Sequence, residues 1–417
     1  MMKTISEKIL SVKSGTDARA GDTVVCRADW ILGTDASSPM AIDYFRQMGG
    51  DRVADPDRVL FAMDHYSPPS TAKTAAFHQE IRTFAGRHGT RLREVGDGIS
   101  FQILSEELAA PGDLVIGADS HTVTCGALNL FATGVGSSDL AAAMLSGQTW
   151  LRVPESIKVV LRGPRPRGVT AKDVALTLVA ELGPEGASYQ ALEFHGDALP
   201  ALTLEDRLVV SNLAVEMDAK ASIFPMDDAT RRYLDSHPDR AISPVAADAG
   251  ARYSRELTVD LSSVSPRVAL PHSPENVVPI EQAAGTPIQM VFIGTCTGGR
   301  VPDFHEALAI LEAGGGRLAS GVQLVITPAS RDVQVRLLED GTLRKLAEMG
   351  AVITAAGCGA CCGTSGAIPA DGMNVLSTAN RNFKARMGNA TASIYLASPA
   401  ACAAAALTGR ITDPRAY

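Results

Sequence analysis

Short apolar runs alternate with longer amphipathic or alanine-rich stretches along the whole chain. Residues 24–28, 59–63, 113–118, 158–162, 207–210, 288–293, 322–326 and 351–354 have the length and composition of strands buried on both faces. Residues 71–88, 137–151, 171–182, 303–313 and 332–349 space their apolar positions for helices. Strand, glycine-containing turn and helix recur in that order, which predicts an α/β architecture with parallel sheets. No repeat of fixed period is visible, and no low-complexity tract beyond a bias to alanine. Two stretches read as connections: 162–168 (RGPRPRG) as a linker and 262–278 (SSVSPRVALPHSPENVV) as an extended connector. They divide the chain into segments 1–164, 165–280 and 281–417.

Composition narrows the function classes. Apolar residues make up 46% and charged residues 20% of 417, enough to bury a large core without covalent staples. The formal charge of −8 argues against nucleic acid or an anionic membrane as the main partner, since both need a basic surface. Residues 387–409 carry no charge, but their alanines are too weakly apolar to drive insertion, so a buried helix is expected there. The first 13 residues mix charge with isolated apolar positions and hold no export signal, so a cytoplasmic protein is expected. Seven cysteines, an odd number in a large chain, do not read as a disulfide framework.

Three of those cysteines ask for a chemical role. Cys296 lies in IGTCTGGR (293–300), and Cys358 and Cys361 in GCGACCG (357–363). Each follows an apolar run and sits in a glycine-rich turn, where backbone can approach an inorganic ligand closely. A zinc site wants four nitrogen or sulfur ligands and no clean fourth is seen. A redox dithiol would use Cys358 and Cys361 but leave out Cys296. A [4Fe–4S] cluster with three cysteine ligands keeps one iron open. Inert buried cysteines are the plainest reading of all, above all for Cys26, Cys125 and Cys402.

A second signal is GADSHT (117–122), followed by GVGSSD (134–139). A strand ending in Asp119-Ser120-His121 presents polar groups at its carboxyl end, where α/β sites form. Asp139 opens a predicted helix and would cap it there; paired with His121 it would make a carboxylate-oriented acid/base. Asp64-His65 is a similar couple at a strand end, although neighbours on a strand point oppositely and need not touch. In STANRNFKARMG (377–388), three cations among Asn and Ser could clamp carboxylates. Asn212 and Glu216 lie four apart, on one helical face.

Together, the cysteine motifs, DSHT with Asp139 following, PRVALPHSPENV (266–277) and STANRNFKARMG resemble the aconitase superfamily, and within it the large-subunit branch of the 3-isopropylmalate dehydratase, homoaconitase and dimethylmalate dehydratase type. The resemblance runs from about residue 27 to residue 389. It implies a three-domain α/β/α body around a central [4Fe–4S] cluster, without the swivel domain, acting as a hydro-lyase on a hydroxylated di- or tricarboxylic acid. Matched residue by residue, it implies Cys296, Cys358 and Cys361 as cluster ligands. Asp64 with His65, and His121 with Asp139, fall on acid/base pairs, and Glu216 on a catalytic carboxylate. Thr34, Ser120, Asn212, Asn380, Arg381 and Arg386 fall on substrate-contacting positions. Cys362 is extra and is not implied as a ligand. With the chain ending at Tyr417, the family's base for the carbon-bound proton is expected on a separate small, swivel-type subunit. Thr34, Phe101 and Gly298 depart from the residues usual at their positions and point to an altered pocket. A cluster-sensing or structural metal protein is the alternative outside enzymes.

Overall fold

The computed structural model describes residues 2–235 and 242–417. Runs with no polar face become central strands, since a strand covered by helices on both sides has no solvent face to display. Leu114–Gly117 and Met290–Gly294 are buried throughout. The first lies in a five-stranded parallel sheet ordered Arg91–Arg93, Val59–Ala62, Trp30–Thr34, Leu114–Gly117, Phe131–Gly134. The second lies in a seven-stranded sheet. Its parallel part runs Val352–Ile353, Gln323–Thr327, Met290–Gly294, Asn374–Ser377, Ser393–Leu396. Arg267–Ala269 and Val277–Pro279 extend it antiparallel beyond Ser393–Leu396.

Both sheets follow one winding rule. The first strand takes the middle, the next two are added on one side, and the last two on the other. The direction of winding thus reverses between Trp30–Thr34 and Leu114–Gly117, and again between Met290–Gly294 and Asn374–Ser377. Loops leaving the carboxyl ends of such strands diverge and open a crevice. The expectation of no repeat holds for the sequence, yet the strand order repeats.

A four-stranded parallel sheet, Ala221–Ile223, Ala191–His195, Ser156–Arg162, Arg255–Asp260, stands between them in the chain. The helices Ala171–Leu182 and Leu204–Leu213 bury Val174, Leu178, Val209 and Val210 against Ile157, Val159 and Phe194 of this sheet. The first of these helices is sharply started. Thr170 Oγ1 accepts from Lys172 N, and Asp173 accepts from Thr170 N and Thr170 Oγ1. The other oxygen of Asp173 accepts from Arg267 N at 2.7 Å, tying this helix to the strand next to the edge of the seven-stranded sheet.

Four expected elements differ. Residues 207–210 are not a strand but part of the Leu204–Leu213 helix. Thr203 and Asp206 cap it, and burial on all sides had erased its helical spacing. The helix expected over 137–151 stops at Ser146, where left-handed Gly147 turns the chain into the Gln148–Arg152 strand, which pairs antiparallel with Thr23–Arg27. Residues 332–349 form two helices, Arg331–Glu339 and Thr342–Glu348, broken at Gly341. Within 387–409 the buried helix is Pro399–Thr408, preceded by the Ser393–Leu396 strand. Among the described residues no helix is long and apolar enough to cross a membrane.

Candidate active site

Polar residues gather where the two reversals of winding face each other. In the first sheet, Asp35 follows the Trp30–Thr34 strand. Its carboxylate accepts from His65 N, Tyr66 N and His78 Nε2, each at 2.9 Å, and so fixes the loop after Val59–Ala62. Asp64 and His65 lie past the end of that strand, so the alternation that would separate them no longer applies. His65 Nδ1 meets Asp64 Oδ1 at 2.8 Å, while Asp64 Oδ2 accepts from Ser100 N.

The contacts then continue in one line. His65 Nε2 is 3.5 Å from Asp119 Oδ2, and His121 Nδ1 is 3.5 Å from Asp119 Oδ1. His121 Nε2 donates to Glu216 Oε1 at 3.0 Å, and the same oxygen accepts from Arg381 Nε at 2.8 Å. Asp64, His65, Asp119, His121, Glu216 and Arg381 thus form an alternating acid and base row, drawn from all three expected segments.

The second sheet supplies sulfur. Cys296 lies in the turn Thr295–Thr297 after Met290–Gly294; Cys358 and Cys361 belong to the turn after Val352–Ile353. Gly359 in that turn has φ +58°, and a Cβ there would stand 2.5 Å from Thr327 Oγ1, so only glycine lets the turn press onto the neighbouring strand. Asn380, just after Asn374–Ser377, bridges the two turns. Its Nδ2 donates to Cys296 Sγ at 3.3 Å, and Cys361 Sγ lies 3.5 Å from its Oδ1. Arg386 Nη2 donates to Cys361 Sγ at 3.4 Å. Asn212 Oδ1 accepts from Asn380 Nδ2, and Asn212 Nδ2 donates to Thr124 Oγ1. The ligand atoms of Cys358, Asp64 and His65 lie within 4.8 Å of one another, so the sulfur and proton-carrying halves meet there.

Charge distribution limits what these groups can do. Burial opposes charge on His65, but Asp64 and then Asp119 outweigh it and hold the ring protonated well above the usual histidine range. Burial would raise Glu216, yet His121 and Arg381 hold its carboxyl below the usual range. Burial, with Cys361 nearby, pushes the Cys296 thiol up to about 12. A redox dithiol of Cys358 and Cys361 needs a lowered thiol pKa, whereas burial, with Asp64 beside it, holds the Cys358 thiol well above the usual range, so that reading loses ground. Asp64, His65 and Cys358 offer zinc three donors, one short of a closed tetrahedral site. Three enclosed sulfurs on glycine-rich turns, with a bridging amide and a guanidinium at hand, do fit an iron–sulfur group that takes three thiolates.

The expected site residues divide in two. Cys296, Cys361, Asn380, Arg386 and Asn212 form one contact set, and Asp64, His65, His121, Glu216 and Arg381 the other. The expected His121–Asp139 pair is not formed. Asp139 is the third residue of the Ser137–Ser146 helix, and its Oδ2 accepts from Gly136 N at 3.3 Å. His121 has Asp119 and Glu216 instead. Thr34 is turned inward, with its hydroxyl 3.0 Å from Ser37 Oγ. Ser120 lines a cavity of 520 Å3 beside Asp139 and Lys220. Phe101 is buried in a core that contains Cys296. Gly298 has no room for a side chain: a Cβ would lie 2.3 Å from Thr378 Cβ. Asp35 and the linking role of Asp119 were not anticipated, although GTDASSP and DSHT both place an aspartate just past a strand end.

The family model described as "Aconitase family (aconitate hydratase)" matches residues 7–409. The chain is 43% identical over 419 residues to 3-isopropylmalate dehydratase large subunit 1 of Methanopyrus kandleri, covering 100% of each chain. It is 45% identical to large subunit 2 of the same enzyme from Archaeoglobus fulgidus and 45% identical to large subunit 1 from Thermotoga maritima, again over 100% of each chain. Among solved structures, aconitase X of Thermococcus kodakaraensis, in its holo-form, superposes with a TM-score of 0.51. That match has 14% identity and covers 91% of this chain and 89% of that one, a likeness of fold alone.

Proposed function

The chain belongs to the aconitase family, and from that premise we propose that it is the cluster-bearing large subunit of a hydro-lyase of the 3-isopropylmalate dehydratase type. Its substrate is a hydroxylated di- or tricarboxylic acid. Membership implies an iron–sulfur cluster. The finer reading is a [4Fe–4S] cluster on Cys296, Cys358 and Cys361, with one iron free of cysteine. The observation that carries it is Asn380 joining the sulfurs of Cys296 and Cys361 at one end of an unbroken acid and base row.

Such a cluster supplies Lewis acidity toward the departing hydroxyl. The rest falls to side chains. Arg381 and Arg386 take substrate carboxylates, where a guanidinium offers two parallel donors. Glu216 and Asp119 hold the His121 ring from both sides, so its proton faces a fixed direction. His65, protonated between Asp64 and Asp119, is the proton store for the hydroxyl that leaves as water. The base that takes the carbon-bound proton comes from a small subunit, which also closes the site against water.

The test is iron and sulfide analysis of the anaerobically prepared chain, followed by hydration of unsaturated diacids in the presence of a small subunit from a relative. Labile sulfide together with turnover is expected. One zinc per chain without sulfide would overturn the reading in favour of a structural metal protein.

A further inference from the structure

Lys172 sits at the second position of the Ala171–Leu182 helix, the positive end of that helix, and is almost wholly buried. Both placements work against an ammonium group. Something opposite must compensate, and it is not a carboxylate: among the described residues Lys172 forms no ion pair. Its Nζ instead donates to Thr378 O at 2.8 Å and Ala379 O at 2.6 Å. These are the two carbonyls directly before Asn380. Thr297 Oγ1, one residue past Cys296, donates to the same Thr378 oxygen at 2.6 Å, and Thr378 Oγ1 exchanges hydrogen bonds with Gly294 N and O. The ammonium therefore pins the segment that carries Asn380 and Arg381 to the turn that carries Cys296. The titratable groups facing it are the thiols of Cys296, Cys402 and Cys361 from the seven-stranded sheet and the helix behind it, and the Asp303 carboxyl from the Val301–Ala313 helix.

We propose that Lys172 is a positioning residue for the cluster and substrate loop: its ammonium fixes Thr378 and Ala379, sets Asn380 between Cys296 and Cys361, and offsets the negative charge of thiolates from behind. The role follows from what a lysine there does chemically. Asn380 reaches two sulfurs and Asn212 with one amide, so a small rotation of its backbone breaks several contacts at once. Two carbonyls drawn to one cation cannot rotate independently. A neutral side chain of equal length would leave both carbonyls buried without a donor, apart from the Thr297 hydroxyl on one of them. It would also remove a buried positive charge that acts on Cys296 and Cys361.

The inference rests on the cluster reading above, and its test separates the two. Wild type, Lys172→Met and Lys172→Arg are reconstituted anaerobically with iron and sulfide. Each is followed by its visible iron–sulfur absorbance on exposure to air, by iron content, and by kcat and KM in the presence of a small subunit. The expected result is that Lys172→Met, folded by circular dichroism, loses its absorbance roughly 10- to 100-fold faster than wild type, the usual cost of losing a group that orients metal ligands. Lys172→Arg, which keeps charge and donors, restores most of the difference. KM should rise in Lys172→Met as Arg381 loses its anchor. A role limited to folding would lower the melting temperature of the cluster-free protein while leaving the reconstituted cluster and KM unchanged, and that outcome overturns the proposal. Should Lys172→Met not fold, Lys172→Gln is read in its place, and Thr297→Val weakens the same carbonyl anchor with the lysine intact. A Thr297→Val protein with wild-type cluster lifetime and KM would then count against the pinning. A wild-type chain that takes up no cluster would instead overturn the functional reading itself.

Discussion

At the scale of single residues, the site separates groups that hold from groups that react. If Cys296, Cys358 and Cys361 are the cluster ligands proposed above, serine at any one of them should abolish the iron–sulfur absorbance. Serine at Cys26, Cys125 or Cys402 should leave it, since Cys26 Sγ donates to Leu10 O, Cys125 Sγ donates to Phe101 O, and Cys402 is buried in an apolar core. Cys362 points its sulfur to Thr364 Oγ1, whose hydroxyl donates to His65 O, so Cys362→Ser should keep the cluster as well. For the acid and base row, His121→Ala should lower kcat by about 10²- to 10⁴-fold with the cluster intact. Asp139→Asn should be close to neutral, because at the third helical position it only accepts from Gly136 N, which an amide oxygen can also do. Steady-state kinetics of the two variants side by side decide whether Asp139 is a cap or a partner of His121. The motifs GCGACCG, DSHT and NRNFKAR were legible because each packs several reactive side chains into one turn. Glu216 as the partner of His121 was not legible as such, since the contact spans 95 positions and no local spacing encodes it.

At the scale of elements, strand-length apolar runs were read well where helices cover both faces, as at Leu114–Gly117 and Met290–Gly294. The Leu204–Leu213 helix was misread for the same physical reason: burial on every side removes the polar stripe that marks a helix. The packing of the Val301–Ala313 helix near the start of Ala171–Leu182 has a measurable consequence. Burial first, then the nearby Asp303 and Asp173, raise the Glu306 carboxyl from 4.5 to about 8. The folded chain therefore holds a proton that the unfolded chain releases. That contribution is fully present below about pH 4.5 and is lost as pH rises toward 8. Thermal unfolding of the cluster-free protein should give a Tm that declines between pH 6 and pH 8, while Asp173 and Asp303, both raised from 3.8 to about 6, add their decline below about pH 6. Glu306→Gln should flatten this slope and stabilise the protein at pH 8, with little effect at pH 5. An unchanged slope would mean that the carboxyl is hydrated in solution.

At the scale of the whole molecule, the site exists because two sheets of the same winding order present their reversal points to each other. That correspondence could not be seen in the sequence, since strand order leaves no periodic trace when the loops between strands differ in length and content. The α/β class and the gathering of polar residues at strand ends were legible, because both follow from local pattern. The proposed division of labour with a second chain gives the prediction at this scale. The chain alone should take up the cluster and bind a substrate acid, yet hydrate an unsaturated acid only feebly. Adding the small subunit should restore turnover. Full turnover by the chain alone would place the carbon base among its own residues.

The winding of the seven-stranded sheet also makes the site depend on the late part of the chain. Cys296 and Cys358 precede the Asn374–Ser377 strand in the chain, yet that strand slots in beside Met290–Gly294 and brings Thr378, Asn380 and Arg386 with it. A chain truncated before residue 374 would keep the three cysteines proposed as ligands but lack the amide that joins two of them and the carbonyls that Lys172 holds. On the proposed reading such a truncated chain offers loose thiols instead of a cradle, so cluster uptake should need the chain through Arg386.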